Sequence, residues 1–171
     1  FNTSSYYQFS EDNSKDKLLM ELITYFMQRS HFSPKELGDE FSENLHSTFL
    51  DMLDGQKRYF FKKDIALFES HKYTLDDEFR TLKTNFFDLT YSRYLERRNE
   101  VKLFYREILD SPFNFKKNEE INLDYQNQKH AVTPRQRYDK WRKQLKLSTL
   151  NILYNKLDDE EKKANNDINY I

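Results

Sequence analysis

A mainly α fold, an irregular multi-helix bundle with one extended or short β strap near residues 113–133, is what this sequence predicts, and three observations predict it. Apolar residues recur at the three- and four-residue spacing of a helix over most of the chain from Lys15 to Leu157. Helix-start and helix-stop residues punctuate that pattern at Ser33-Pro34-Lys35-Glu36, Asp54-Gly55, Thr74-Leu75-Asp76-Asp77, Asp110-Ser111-Pro112 and Pro134. Only between Phe113 and Thr133 does the helical period disappear, where Phe115, Ile121, Leu123 and Tyr125 alternate with polar residues.

In chain order, residues 1–14 are polar and read as an extended or partly disordered lead. From Lys15 to about Arg29, Leu18, Leu19, Leu22, Ile23, Tyr25, Phe26 and Met27 form a broad apolar face. Its polar side lacks the dense basic stripe of a membrane-surface helix, so a core helix is expected. Ser33, Pro34 and Glu36 supply a cap, a first helical residue and a returning carboxylate for a helix running to about Leu53. Leu37, Phe41, Leu45, Phe49 and Met52 mark its expected buried stripe, and Gly38 points to a bend or break.

A short helix follows from about Lys63 to His71. Thr74 then caps a restart, and the residues Leu75, Phe79, Leu82, Phe86, Leu89, Tyr94, Leu95, Val101, Leu103, Phe104, Ile108 and Leu109 trace a long helix, with a break placed near Thr84-Asn85. Its stripe is bordered by Arg93, Glu96, Arg97, Arg98, Glu100 and Arg106, within reach of i,i+3 and i,i+4 pairing. Pro112 ends it. Pro134 opens the last helix, whose apolar face is Tyr138, Trp141, Leu145, Leu147, Ser148, Ile152, Leu153 and Leu157; beyond Asp158 the chain turns acidic and Asn-rich and is expected to fray.

The stretch Thr48–Ile65 joins an apolar helical run to an aromatic cluster through one turn. Phe49, Leu50 and Leu53 have helical spacing, and Gly55 after Asp54 is the expected left-handed C-terminal cap. Tyr59, Phe60 and Phe61 then bring large apolar area, Lys57, Arg58, Lys62 and Lys63 form an expected wet rim, and Asp64 falls in the first turn of the next helix. At least one of Phe60 and Phe61 should be buried against the long helix that carries Phe86, Leu89 and Tyr94.

The pattern F-L-D-x-L-D-x-x-K-R-x-F-F-x-x-D-I in this stretch resembles the N-terminal helical domain of the bacterial tail-specific, or C-terminal processing, proteases. Upstream, His31-Phe32-Ser33-Pro34 and Asp39-Glu40-Phe41-Ser42 extend the resemblance. Downstream, Tyr94-Leu95-Glu96-Arg97-Arg98, Glu119-Glu120-Ile121-Asn122-Leu123-Asp124 and Trp141-Arg142-Lys143-Gln144-Leu145-Lys146 carry it to about Leu157. It departs at Gly55, where proline is expected after the aspartate, and over Tyr125–Thr133. The motif residues Phe49, Leu50, Leu53, Asp54, Arg58, Phe60, Phe61, Asp64 and Trp141 are read as structural.

Composition excludes several classes. With 28 basic and 29 acidic residues the net charge is -1, so no long-range field draws in nucleic acid or an anionic surface. Cysteine is absent, which rules out a disulfide framework and a thiolate nucleophile or ligand. No run of about 18 apolar residues is present to span a membrane. His31, His46, His71 and His130 have no partner at ligand spacing, and two isolated glycines cannot build a phosphate-cradling loop. The adjacent carboxylates Asp76-Asp77, Glu119-Glu120 and Asp158-Asp159 lie in polar surroundings that raise neither pKa for acid catalysis. No catalytic, cofactor or metal residue is therefore assigned.

The resemblance implies a serine endopeptidase whose Ser/Lys dyad and carboxylate-binding PDZ module lie outside these residues. It also implies a periplasmic or cell-envelope setting, protein substrates with flexible C-termini, and a helical extension that shapes the enclosure and can dock an adaptor lipoprotein. The start at Phe1 fits a processed or excised piece. The expected organisation is a lead at 1–14, a single helical domain at 15–157 and a polar exit segment at 158–171 toward the PDZ and protease region. The competing reading is a free-standing helical protein–protein interaction module.

Overall fold

A computed structural model of the chain describes residues 15, 18–23, 25 and 37–168, with side chains as far as residue 160. The helices are a stretch at residues 18–23 (α1), Asp39–Asp54 (α2), Lys62–Phe68 (α3), Leu75–Arg80 (α4), Asn85–Asp110 (α5) and Pro134–Ile168 (α6), with a 3-10 turn at Glu69–His71. The protein is mainly α. No strand occurs among the described residues, and residues 113–133 form an irregular strap whose one ladder-like feature is an isolated parallel bridge between Phe61 and Ala131. The expected polar lead and the Ser33–Glu36 cap lie outside the described residues.

Two compact units divide the chain, one of residues 1–50 and 68–90, the other of 51–67 and 91–171. In the first, α2 begins directly after Gly38, whose carbonyl accepts the Ser42 amide at 2.9 Å. The break suggested by that glycine is therefore the helix start. Ser42 and His46 lie fully in the interior, as do Phe68, Leu75, Phe86 and Thr90. His46 Nε2–H donates to the Phe68 carbonyl at 3.1 Å and its ring lies 5.0 Å from Phe86, which also meets Phe49 at 5.8 Å. The buried line of this helix thus passes through polar residues that an apolar count skips.

The α3 and α4 region follows the predicted order, but the cap of α4 is different. Thr74 makes no side-chain cap bond to α4 and donates instead to the His71 carbonyl. Ser42 does the capping from a distance in sequence: its Oγ accepts the Asp76 amide at 2.9 Å and donates to Asp76 Oδ1 at 2.8 Å. Arg80 closes the group on Asp76 Oδ2 at 2.7 Å and on the Leu37 carbonyl. The chain then turns through Leu82, in the left-handed region at φ 53°, and α5 starts at Asn85. Its first turn is held by Thr84 Oγ1 donating to Asp88 at 2.9 Å and by Glu78 accepting the Phe86 amide at 3.1 Å.

Along α5 the buried positions are Phe86, Thr90, Arg97, Val101 and Ile108, a repeat of four and seven residues in which two members are polar. Leu103, assigned to the stripe by sequence, is 82% exposed, because it falls on the opposite side of the helix from Val101. Met52 is likewise exposed. So are Leu18, Leu19, Leu22 and Ile23 on α1, and Tyr25 after it, against the expectation of a core helix there. Helical spacing establishes that a face is apolar and leaves open what covers it. The last helix does not fray after Asp158 but continues to Ile168.

Candidate functional site: the aspartate corner

The second unit is built around the turn that follows α2. At its tip Lys57 adopts φ 52°, so the left-handed residue is a lysine and not the expected Gly55. Gly55 is required for a different reason: a Cβ there would sit 2.7 Å from the Asp51 carbonyl oxygen. The left-handed step lets the next amides converge on one carboxylate. Asp54 Oδ1 accepts Arg58 N–H at 2.7 Å and Tyr59 N–H at 3.1 Å, while Oδ2 accepts Tyr59 N–H at 3.0 Å and Phe60 N–H at 2.7 Å. Burial pushes the Asp54 carboxyl up to about 6, and these amides pull it down only in part. His130 Nε2 lies 4.0 Å away, but burial, Lys57 and Lys140 push its imidazole down to about 4, so it stands neutral at pH 7.

Asp64, the third residue of α3 counted from Lys62, reaches back to accept the Phe61 amide at 2.9 Å, one half of a capping box. The same carboxylate is clamped by Arg97 through Nε and Nη2, each at 2.8 Å, with Arg93 at 3.7 Å. Burial raises its pKa, but the Arg97 fork, the Phe61 amide and Arg93 outweigh it and hold Asp64 below the ordinary carboxylate value. Arg97 goes on to Glu100 at 2.7 Å, and Arg137 of α6 joins Glu100 at 2.5 Å and the Tyr59 carbonyl at 3.2 Å. The guanidinium groups of Arg97 and Arg137 lie 4.8 and 4.2 Å from the Phe61 ring centre.

Aromatic residues fill the remaining space. Phe60 is fully buried beside Tyr94, and Phe61 is 4% exposed. Tyr59 meets Tyr94 at 5.1 Å and Trp141 at 5.4 Å, both edge to face. Trp141 Nε1–H donates to the Arg58 carbonyl at 3.0 Å while the Arg58 guanidinium lies 4.8 Å over its ring. Arg58 and Lys57 are thus half-buried and engaged, and only Lys62 and Lys63 form the exposed basic rim. The strap is tied on through Lys62 N–H to the Ala131 carbonyl at 2.9 Å and Lys57 Nζ to the Gln126 carbonyl at 2.5 Å.

Of the motif residues, Leu53, Asp54, Arg58, Phe60, Phe61, Asp64 and Trp141 belong to the second unit, and Asp54 through Trp141 are linked by the bonds above. Phe49 and Leu50 belong to the first, where Phe49 packs on Phe86 and Phe87 and Leu50 is half-buried. Sequence reasoning missed Arg97, Glu100, Arg137 and His130 as members of the corner. Arg97 carried only a weak signal, a charged residue bordering an apolar stripe, and its partner is 33 positions away. Chemically, the carboxylates of Asp54 and Asp64 already accept several N–H bonds each, which leaves them suited to fixing a chain path and ill suited to attacking a substrate.

A sequence model described as the tail specific protease N-terminal domain matches residues 23–170 of this chain. That span covers the whole corner, both compact units in large part and the full length of α2 to α6. The chain belongs to the family of tail specific protease N-terminal domains.

Proposed function

We propose that the chain is the non-catalytic N-terminal domain of a periplasmic C-terminal processing serine protease, and that it shapes substrate access and docks partners while the Ser/Lys dyad cuts elsewhere. The family match over residues 23–170 is the observation that carries this reading. The geometry of the corner supports it, since Asp54, Asp64, Arg97 and Arg137 are all bonded within the domain. In this reading the motif residues Phe49, Leu50, Leu53, Asp54, Arg58, Phe60, Phe61, Asp64 and Trp141 are structural. Residues 15–157 act as one helical domain, with 1–14 a lead and 158–171 an exit segment toward the PDZ and protease domains. Substrates are proteins with flexible C-termini, and an adaptor lipoprotein is a further partner.

Two incubations test this against a free-standing interaction module. The chain alone, mixed with an unstructured tail peptide, leaves the peptide intact. Joined to a PDZ and Ser/Lys protease region of the family, it changes the rate or the processivity of cleavage. Cleavage by the repurified chain alone, or a protease region whose kinetics ignore the domain, contradicts the proposal.

A further inference from the structure

Beyond the corner, α6 carries a second feature that the protease reading does not use. Leu147, Leu150, Tyr154 and Leu157 recur at three- and four-residue steps, the a and d positions of a two-heptad seam, with Leu153 beside them. Leu150, Leu153, Tyr154 and Leu157 are 46%, 43%, 69% and 66% exposed. At its N-terminal end the seam enters a groove of about 360 Å³ between α6 and the strap, where Phe115, Ile121, Leu147 and Leu150 meet Lys116, Lys117, Lys143 and Lys146. Glu119 in that groove is taken by Arg142, at 3.0 Å to Nη1, and by Lys146 at 2.7 Å, and Lys143 pairs with Asp139 at 3.2 Å; with Glu120 on the lining as well, four lysines outnumber two glutamates there. The C-terminal end of the seam has the opposite net charge, with Asp158, Asp159 and Glu160 against Lys156.

A seam that is basic at one end and acidic at the other is complementary to itself when reversed. We infer that α6 pairs antiparallel with α6 of a second copy of this chain. In that register Leu147 faces the partner's Leu157 and Leu150 faces the partner's Tyr154, so the four layers close on a single two-fold axis. The flanking position of Lys146 then meets the partner's Glu160, and the acidic end of each helix enters the lysine-rimmed groove of the other. Lys146 already bonds Glu119 and the Lys117 carbonyl, and its ammonium has a third donor for the partner. An anionic membrane surface fits less well, because it would be repelled by the same Asp158-Asp159-Glu160 end.

Sedimentation equilibrium of the chain across a concentration series, with cysteine cross-linking, tests the pairing. A reversible dimer is expected, and Leu150→Glu should weaken it more than about tenfold without changing the helical circular dichroism. Glu160→Lys, at a position outside the seam, should weaken it less. The natural chain has no cysteine, so Leu150→Cys and Tyr154→Cys chains can be mixed and oxidised. Disulfides between the two different variants should exceed those within either one. A monomer at all concentrations, a dimer indifferent to Leu150→Glu, or dominant 150-to-150 links would each overturn the antiparallel α6 pairing.

Discussion

Each of the two compact units buries an aspartate at a helix end, and the two carboxylates end with pKa values shifted in opposite directions. Asp76 lies in the first turn of α4, where the helix dipole, Ser42 and Arg80 all favour its charge; burial pushes its pKa up, but Ser42 and Arg80 outweigh that and hold it below the ordinary value. Asp54 is the last residue of α2, at the end where the dipole disfavours a negative charge, and among the described residues no guanidinium is bonded to its oxygens. Burial wins there, and the carboxyl rises to about 6. Burial of a carboxylate therefore predicts little until the helix end and the counter-charge are named.

The largest expected effect separates the corner from its surface. Phe60→Ala should cost about 3–5 kcal/mol, because it empties a fully enclosed ring site, and urea unfolding at pH 7 reads it. A loss under about 1 kcal/mol would mean that the corner adapts far more than its packing indicates.

Next in size is the pH response. Asp54 has a folded value above its ordinary 3.8, so its contribution is complete below about pH 4 and is lost as pH rises through about 6. His130 is depressed from 6.5 to about 4, so its contribution is present above about pH 6.5 and is lost as pH falls through about 4. Each difference is worth about 3 kcal/mol and they oppose one another over the same window. His130→Asn should therefore gain stability relative to the natural chain as pH falls from 7 to 4.5, which unfolding midpoints at the two pH values would show. Asp76, with a lowered value, contributes above its ordinary 3.8 and loses that contribution only as pH falls further.

Smaller again is the joint of the first unit. Ser42→Ala removes the acceptor for the Asp76 amide and a donor to its carboxylate, and should cost about 1–3 kcal/mol. At the bottom of the scale, Lys62→Ala on the exposed rim should change stability by under about 0.5 kcal/mol. Thermal melts of both variants beside the natural chain check the ordering.

Much of the fold was legible because helix boundaries rest on local chemistry. Pro112 and Pro134 limit the strap, the turn before Asn85 ends one helix and starts another, and Phe60 and Phe61 are both buried. What could not be read was which polar residues, mostly distant in sequence, hold the joints together. Ser42 caps α4 in place of Thr74, Arg97 and Arg137 hold the corner, and Lys57 takes the left-handed role expected of Gly55. Thr90 and Arg97 occupy buried positions of α5 that an apolar stripe leaves blank, and Met52 and Leu103 satisfy the stripe yet face outward. Periodicity is a property of one helix, whereas burial is a property of what packs on it.

The central proposal is that the corner motif holds the fold and performs no chemistry of its own, and Asp64→Asn tests it most directly. The substitution keeps the shape of the side chain but leaves the buried Arg97 with Glu100 as its remaining counter-charge, so urea unfolding at pH 7 should show a loss of about 3 kcal/mol. An unchanged unfolding midpoint, together with loss of the domain's effect on the attached protease, would show instead that Asp64 serves a functional site.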